Sequence, residues 1–244
     1  MKISKVTMTG ADDSIQPVKL LALSAIYPFV EWGILLSRNS QGSNRFPSLQ
    51  WMDRLSNELC EVDHHLNFSG HLCGQYVRQI LMGSPQFLRE IGMMGAFFKR
   101  FQINTHGQPH DFDIKGLREI VQAASNLENG VEFIFQYDNI NTEAFDMTAA
   151  ECKNVSALFD LSHGAGVLAE HWPEPLAHVK CGYAGGLSPE NIIDQLKRIE
   201  DKVGDKEIWI DMETHIRSDN DKLFDLKKVE AVLAAVEKTG LISR

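Results

Sequence analysis

Carboxylates, histidines and arginines stand in this 244-residue sequence directly after short apolar runs, where a proton-transfer site could gather them. Asp160-Leu161-Ser162-His163 follows the run Ser156–Phe159, and Asp211, Glu213, His215 and Arg217 alternate beyond Glu207–Ile210. Two carboxyl groups in one cleft divide general-acid and general-base work when their surroundings differ. Ion-pair networks also collect such groups, so rim carboxylates held by arginine or backbone are the bland account of Asp160 and Asp211. Other runs close on polar residues too: Thr7 and Thr9 with Asp12-Asp13 beyond, Ser37-Arg38 with Arg45 further on, Ser69 and His71, then Gln102, Asn104 and His106. Of these and the residues above, Asp13, Arg45, Gln102, His106, His163 and Glu213 are the candidate substrate ligands.

A second chemistry is written in Gly182-Tyr183-Ala184-Gly185-Gly186-Leu187-Ser188-Pro189-Glu190-Asn191. Gly185 and Gly186 let backbone N–H groups come close to an anion. Ser188 is predicted to cap the next helix, with Pro189 in its first turn. Arg217 could add a charge and Ser218 a hydroxyl. An ordinary strand–glycine–helix turn has the same pattern, and short glycine motifs match by chance. His163 and His215 with Asp160 or Glu213 are of ligand type for a transition metal, but no HExxH spacing supports them. No metal and no other cofactor are expected.

The elements that must position these residues alternate. Strands are predicted at Ile3–Met8, Phe29–Leu36, His65–Ser69, Phe97–Ile103, Val131–Phe135, Ser156–Phe159, Val179–Tyr183 and Glu207–Ile210. Helices are predicted from Pro17, from Pro47-Ser48, over Gly74–Met82, over Ile114–Val121, and over Thr142–Lys153, Pro189–Lys202 and Phe224–Glu237. The connection after the sixth strand is expected to be short or irregular. Crossover helices return the chain in one direction, so the strands pair in parallel, and eight of them in 244 residues predict a single α/β domain over 1–244, a (β/α)8 TIM barrel. A doubly wound sheet is the runner-up. In the barrel, the strand ends form one rim, which is where barrel chemistry sits.

Composition sets the bounds. The chain is 43% hydrophobic and 23% charged, with 24 Lys+Arg against 33 Asp+Glu, a net charge of -9 that disfavours nucleic acid and anionic membranes as partners. Leu20–Leu36, the longest apolar region, is broken by Ser24, Pro28, Glu31 and Gly33 and makes a poor membrane span. Cys60, Cys73, Cys152 and Cys181 form no CxxC pair, and no leader is recognisable, so a cytoplasmic monomer or homodimer is expected. Cys73, near a helix start, is a candidate for a lowered pKa, and Trp172 for lining the pocket.

The chain resembles the phosphoribosylanthranilate isomerase family. Thr7-Met8-Thr9-Gly10 stands where that family has Lys-Ile-Cys-Gly, and Glu31–Arg45 is similar to its strand-and-loop GxxF…S.R. Phe159-Asp160 with Gly164-Ala165-Gly166 is similar to its LLD…GGTG, and AGGLSPENI to its AGGLxPENV. The resemblance implies a (β/α)8 barrel that binds a small phosphorylated metabolite and carries out an Amadori-type aldose–ketose rearrangement. It makes Asp160 the general acid, Gly185-Gly186 the phosphate turn and Arg45 a substrate residue. Thr9 takes the place of the family's cysteine base, and a threonine hydroxyl does not ionise as a thiol does. Asp12, Asp13, His71 and Asp211 are the candidate replacements. Two alternatives stand beside the isomerase. One is a phosphosugar lyase or epimerase, for which Lys180 is the obvious Schiff-base lysine. The other is a non-catalytic metabolite-binding barrel that has lost the base.

Overall fold

The computed structural model describes residues 1–60, 66–94, 97–127, 130–162 and 164–243. Eight parallel strands close into a barrel in chain order: β1 (Lys2–Thr9), β2 (Val30–Leu36), β3 (Asn67–Leu72), β4 (Arg100–Ile103), β5 (Glu132–Gln136), β6 (Val155–Asp160), β7 (Lys180–Ala184) and β8 (Glu207–Met212). β8 returns to β1 with Thr7 opposite Asp211, which shuts the ring. The doubly wound alternative is thereby excluded. The predicted start of β3 at His65 lies outside the described residues, and the strand runs on to Leu72.

The helices are α1 (Pro17–Ile26), α2 (Leu49–Cys60), α3 (Gln75–Leu81), α4 (Pro85–Met94), α5 (Ile114–Ser125), α6 (Thr142–Ala149), α7 (Ile192–Val203) and α8 (Leu226–Lys238). Pro17 opens α1, where its missing N–H costs nothing. Asp113 and Asp225 cap α5 and α8 by accepting from N–H groups of the first turns. Two helices follow β3, and the described part of the segment from β6 to β7 has none. A single 3-10 turn, Thr214–Ile216, follows β8, and then a hairpin of β9 (Arg217–Ser218) and β10 (Leu223–Phe224).

Alternation along the strands sorts the side chains into two cores. Outward-facing Val6, Met8, Trp32, Ile34, Phe101, Phe133, Ala157, Tyr183 and Ile210 are fully buried against Leu20, Leu55, Ile80, Leu117, Val121, Leu196, Ile199 and Val232 of the helices. Each Val, Leu, Ile, Phe and Met among them contributes about 1.5–3 kcal/mol by leaving water. The inward face is different. Strand register places Thr7, Glu31, Ser69, Arg100, Glu132 and Ser156 around the inside, and Ile134, Leu158, Ala184 and Trp209 form its one apolar patch. Glu31 lies deep in the barrel and fully buried, bound to Thr7, Lys5 and Arg100. Burial pushes its carboxyl up, but the two cations and the Thr7 hydroxyl bring it below the ordinary value.

Candidate active site at the C-terminal mouth

The strands deliver Gln102, Asn104, His106, Gln136, Leu158, Asp160, Ala184 and Asp211 to one cleft at their C-terminal ends, with Gly185, Gly186, Glu213, Thr214 and His215 from the loops after β7 and β8. Thr9 points into this barrel end and is 1% exposed, and its hydroxyl donates to Asp211 Oδ1 at 2.8 Å. Burial drives the Asp211 carboxyl well above the usual carboxylate range. The Thr9 hydrogen bond opposes this, while Glu213, Glu31 and Asp160 add like-charge repulsion. Asp211 therefore tends to keep its proton.

Asp160 is held differently. Its carboxylate accepts from Ser162 N (3.1 Å), Ser162 Oγ (2.7 Å), Gly164 N (2.9 Å) and Gln136 Nε2 (3.3 Å). Gln136 is itself aligned by the Thr105 hydroxyl and His106 N–H, both donating to its Oε1. Gly164 has φ +83, a conformation that suits glycine and lets its N–H turn back to the carboxylate. Two carboxyl groups in one cleft thus have unlike surroundings, the arrangement that separates an acid from a base. Gln102 donates to Asn104, which in turn reaches Cys73.

Gly185 faces this mouth: a Cβ there would stand 3.3 Å from Asp160 Oδ1, and its φ is +102. Gly186, at φ +68, answers to packing as well, since a Cβ would fall 2.3 Å from the backbone of Leu168. The N–H groups of Gly185, Gly186 and Leu187 donate to no acceptor among the described residues. Thr214 and His215 of the 3-10 turn line the same cleft. No Lys or Arg is among the described residues of the mouth.

Several sequence expectations end elsewhere. Ser188 does not cap α7 and does not line the mouth. Its N–H donates to Asn191 Oδ1 and the helix begins at Ile192, so Pro189 belongs to the preceding turn. Arg217 is sealed inside the loop after β8, donating to the Gly10 carbonyl and to Asp12 Oδ2, with Asp221 at 2.8 Å, so its charge is compensated before any ligand arrives. Ser218 is in the β9–β10 hairpin, apart from the mouth. Arg45 bonds Glu213 and Asp221 and serves as a strut across the rim. Asp13 accepts from the N–H and hydroxyl of Ser48, just ahead of α2. His163 lies outside the described residues.

The replacement bases narrow in the same way. Asp12 is taken by Ser14, Arg45 and Arg217. His71 is buried beside Ser69, and burial depresses it to about 3, leaving it neutral. Cys73 is not activated: burial pushes its thiol up to about 12 despite the Asn104 hydrogen bond. Lys180 sits at the opposite, N-terminal end, 73% exposed and paired with Glu132, so it cannot form a Schiff base in the mouth. Trp172 is buried against Tyr183 rather than lining the cleft. No metal-binding cluster occurs among the described residues, and no described helix is long and apolar enough to cross a membrane. The 3-10 turn at Thr214 and the Gln136–Asp160 bond were not foreseen. Thr214-His215 carries no helix-start signal, and no local pattern ties Gln136 to a residue 24 positions on.

No family model matches the chain, and no curated protein does. Solved structures do. Phosphoribosylanthranilate isomerase from Thermus thermophilus superposes with a TM-score of 0.60 at 14% identity, over 96% of this chain and 99% of that one. The Thermotoga maritima enzyme gives 0.54 at 13% identity, over 96% and 98%. A phosphoribosylanthranilate isomerase in complex with reduced 1-(o-carboxyphenylamino)-1-deoxyribulose 5-phosphate gives 0.55 at 13%, also over 96% and 98%. At such identities the likeness is one of fold: along nearly its whole length the chain is similar to the phosphoribosylanthranilate isomerase barrel, and divergent from it in sequence.

Proposed function

We propose that the protein is an acid–base isomerase of aldose–ketose type, acting on a small phosphorylated sugar at the C-terminal mouth. The observation that carries this reading is the pair Asp160 and Asp211, which share one cleft in unlike surroundings. Asp211 holds a proton and is the donor to the sugar ring oxygen. Opening the ring gives an imine at C1 when the substrate is a glycosylamine. Asp160, oriented by four donors, takes the C2 proton, and the resulting enolamine rearranges to the ketose. Thr9 positions Asp211 through its hydroxyl instead of acting as the base. These roles exchange the one that the sequence resemblance implies for Asp160. The free amides of Gly185, Gly186 and Leu187 would take the phosphate, so no cationic side chain is needed there.

The test is turnover of a phosphoribosylamine, followed by the ketose product. Asp160→Asn and Asp211→Asn are each expected to lower kcat by about 10²–10⁴-fold, the usual worth of a positioned acid or base. Because the Asp211 carboxyl is raised, its donor form is lost as pH climbs through that raised value. The wild-type rate should therefore fall on the alkaline side, and Asp211→Asn should erase that limb. Ribose 5-phosphate binding without turnover of any phosphosugar amine would select the non-catalytic alternative, which the threonine at position 9 favours. Failure to bind it at all would remove the phosphosugar reading.

A further inference from the structure

A cavity of about 550 Å³ opens at the other end of the barrel, at the N-terminal ends of the strands, far larger than the about 50 Å³ of the mouth. Its walls come from the loops before β4, β5, β6 and β7 together with the foot of β1. Among the described residues five cationic side chains line it, Lys5, Lys99, Arg100, Lys153 and Lys180, against one lining carboxylate, Glu132. Counting Glu31 beneath, these five meet two described carboxylates, an excess of three positive charges among the described residues, in a chain of net charge -9. Such a concentration costs self-repulsion unless something negative answers it.

The ion pairs show where the vacancy in charge lies. Lys180 reaches Glu132 at 3.7 Å, Arg100 Nε reaches Glu132 at 3.8 Å, Arg100 Nη1 reaches Glu31 at 3.2 Å, and Lys5 reaches Glu31 at 3.2 Å. Both carboxylates are thus shared, each between two cations. Lys99 and Lys153 have no carboxylate partner among the described residues. Arg100 is the telling group. Its side chain is 93% buried (7% exposed) with the guanidinium carbon 4.3 Å from the centre of the Trp209 ring, and neither its Nε nor its Nη2 finds a hydrogen-bond acceptor. A guanidinium held over an indole, with two of its nitrogens unpaired, keeps a fixed positive potential beneath the floor of the cavity.

We propose that this N-terminal cavity is a second binding site, separate from the catalytic mouth, for a small anion bearing at least two phosphate-type charges. Arg100 supplies a fixed charge beneath its floor, and Lys99, Lys153 and Lys180 supply mobile charges at its rim. The ample volume suits a metabolite rather than a single ion, being within the 300–1,000 Å³ typical of ligand pockets. The site does not depend on the isomerase reading, because no residue of it lines the mouth.

Inorganic pyrophosphate is the probe, titrated calorimetrically into the full chain at low salt, with chloride of equal ionic strength as the blank. Binding is expected to weaken at least tenfold in the triple variant Lys99→Ala, Lys153→Ala, Lys180→Ala, whose exposed positions leave folding intact. It should persist in Asp160→Asn and in Gly185→Ala, which alter the mouth. Arg100→Met is expected to weaken it as well, provided that circular dichroism shows the variant folded; the lysine variant decides the matter on its own. The proposal is overturned if pyrophosphate does not bind the wild type. It is equally overturned if the lysine variant binds as tightly as wild type, or if Gly185→Ala removes the binding and the lysine variant keeps it.

Discussion

His71 shows what one inward-facing residue can do to the whole pH profile. Burial depresses it to about 3 from 6.5, with Nε2 beside Ser69 Oγ and Nδ1 without a partner. The unfolded chain therefore takes up this proton first, and stability from the neutral imidazole is complete above pH 6.5 and drains away as pH falls from there toward 3. Between pH 7 and 4.5 the loss is about 3 kcal/mol at 1.36 kcal/mol per unit. Urea unfolding of His71→Gln at the two pH values should show that part of the acid loss missing, the carboxylate contributions being common to both proteins. The sequence disclosed that His71 and Asp211 lie near the C-terminal ends of strands, and the family likeness singled out Asp160. It did not disclose that Thr9 would meet Asp211, because that contact joins β1 to β8 across 202 positions. Depth was equally hidden. Alternation gives the face on which Glu31 lies, but its level along the barrel depends on how all eight strands are staggered.

At the level of elements, the loops after β1 and β8 are joined by Arg217, which grips the Gly10 carbonyl and Asp12 while Lys228 of α8 donates to the Arg217 carbonyl. Arg217→Met leaves Asp12 buried without its cation, so a loss of about 3–5 kcal/mol is expected in thermal or denaturant unfolding. A loss under about 1 kcal/mol would mean that Ser14 and Arg45 hold the loop unaided. Strands and most helices were readable here because apolar alternation and proline starts are local. Pro17 opens α1 as its sequence suggests, and Ser84-Pro85 carries the same kind of signal for α4. The late start of α7 could not be read. Ser188-Pro189-Glu190-Asn191 looks like a capped first turn, yet Asn191 bonds both Ser188 N and the Gly186 carbonyl and turns the segment outward first.

For the whole molecule, closure is reinforced by the chain's own end. Ile3 N donates to the Leu241 carbonyl at 2.8 Å and Ser243 N to the Ile3 carbonyl at 2.9 Å, so the last residues run beside the foot of β1. Removing 241–244 deletes both bonds at about 0.5–1.5 kcal/mol each. A fall in Tm of about 4 °C is expected by scanning calorimetry, given about 2–4 °C per kcal/mol at this size. An unchanged Tm would show the tail to be ornamental. The lopsided interior has a wider bearing. Glu31 and Lys5 belong to the first quarter of the barrel, while the indole beneath Arg100 arrives with β8 near the end of the chain. A polypeptide severed between Ile103 and Ile114 would leave a leading fragment that keeps Glu31 with Lys5, Thr7 and Arg100 but has no indole over that guanidinium. Only recombination with the trailing fragment restores that cover, so the leading half of this ring is incomplete by itself.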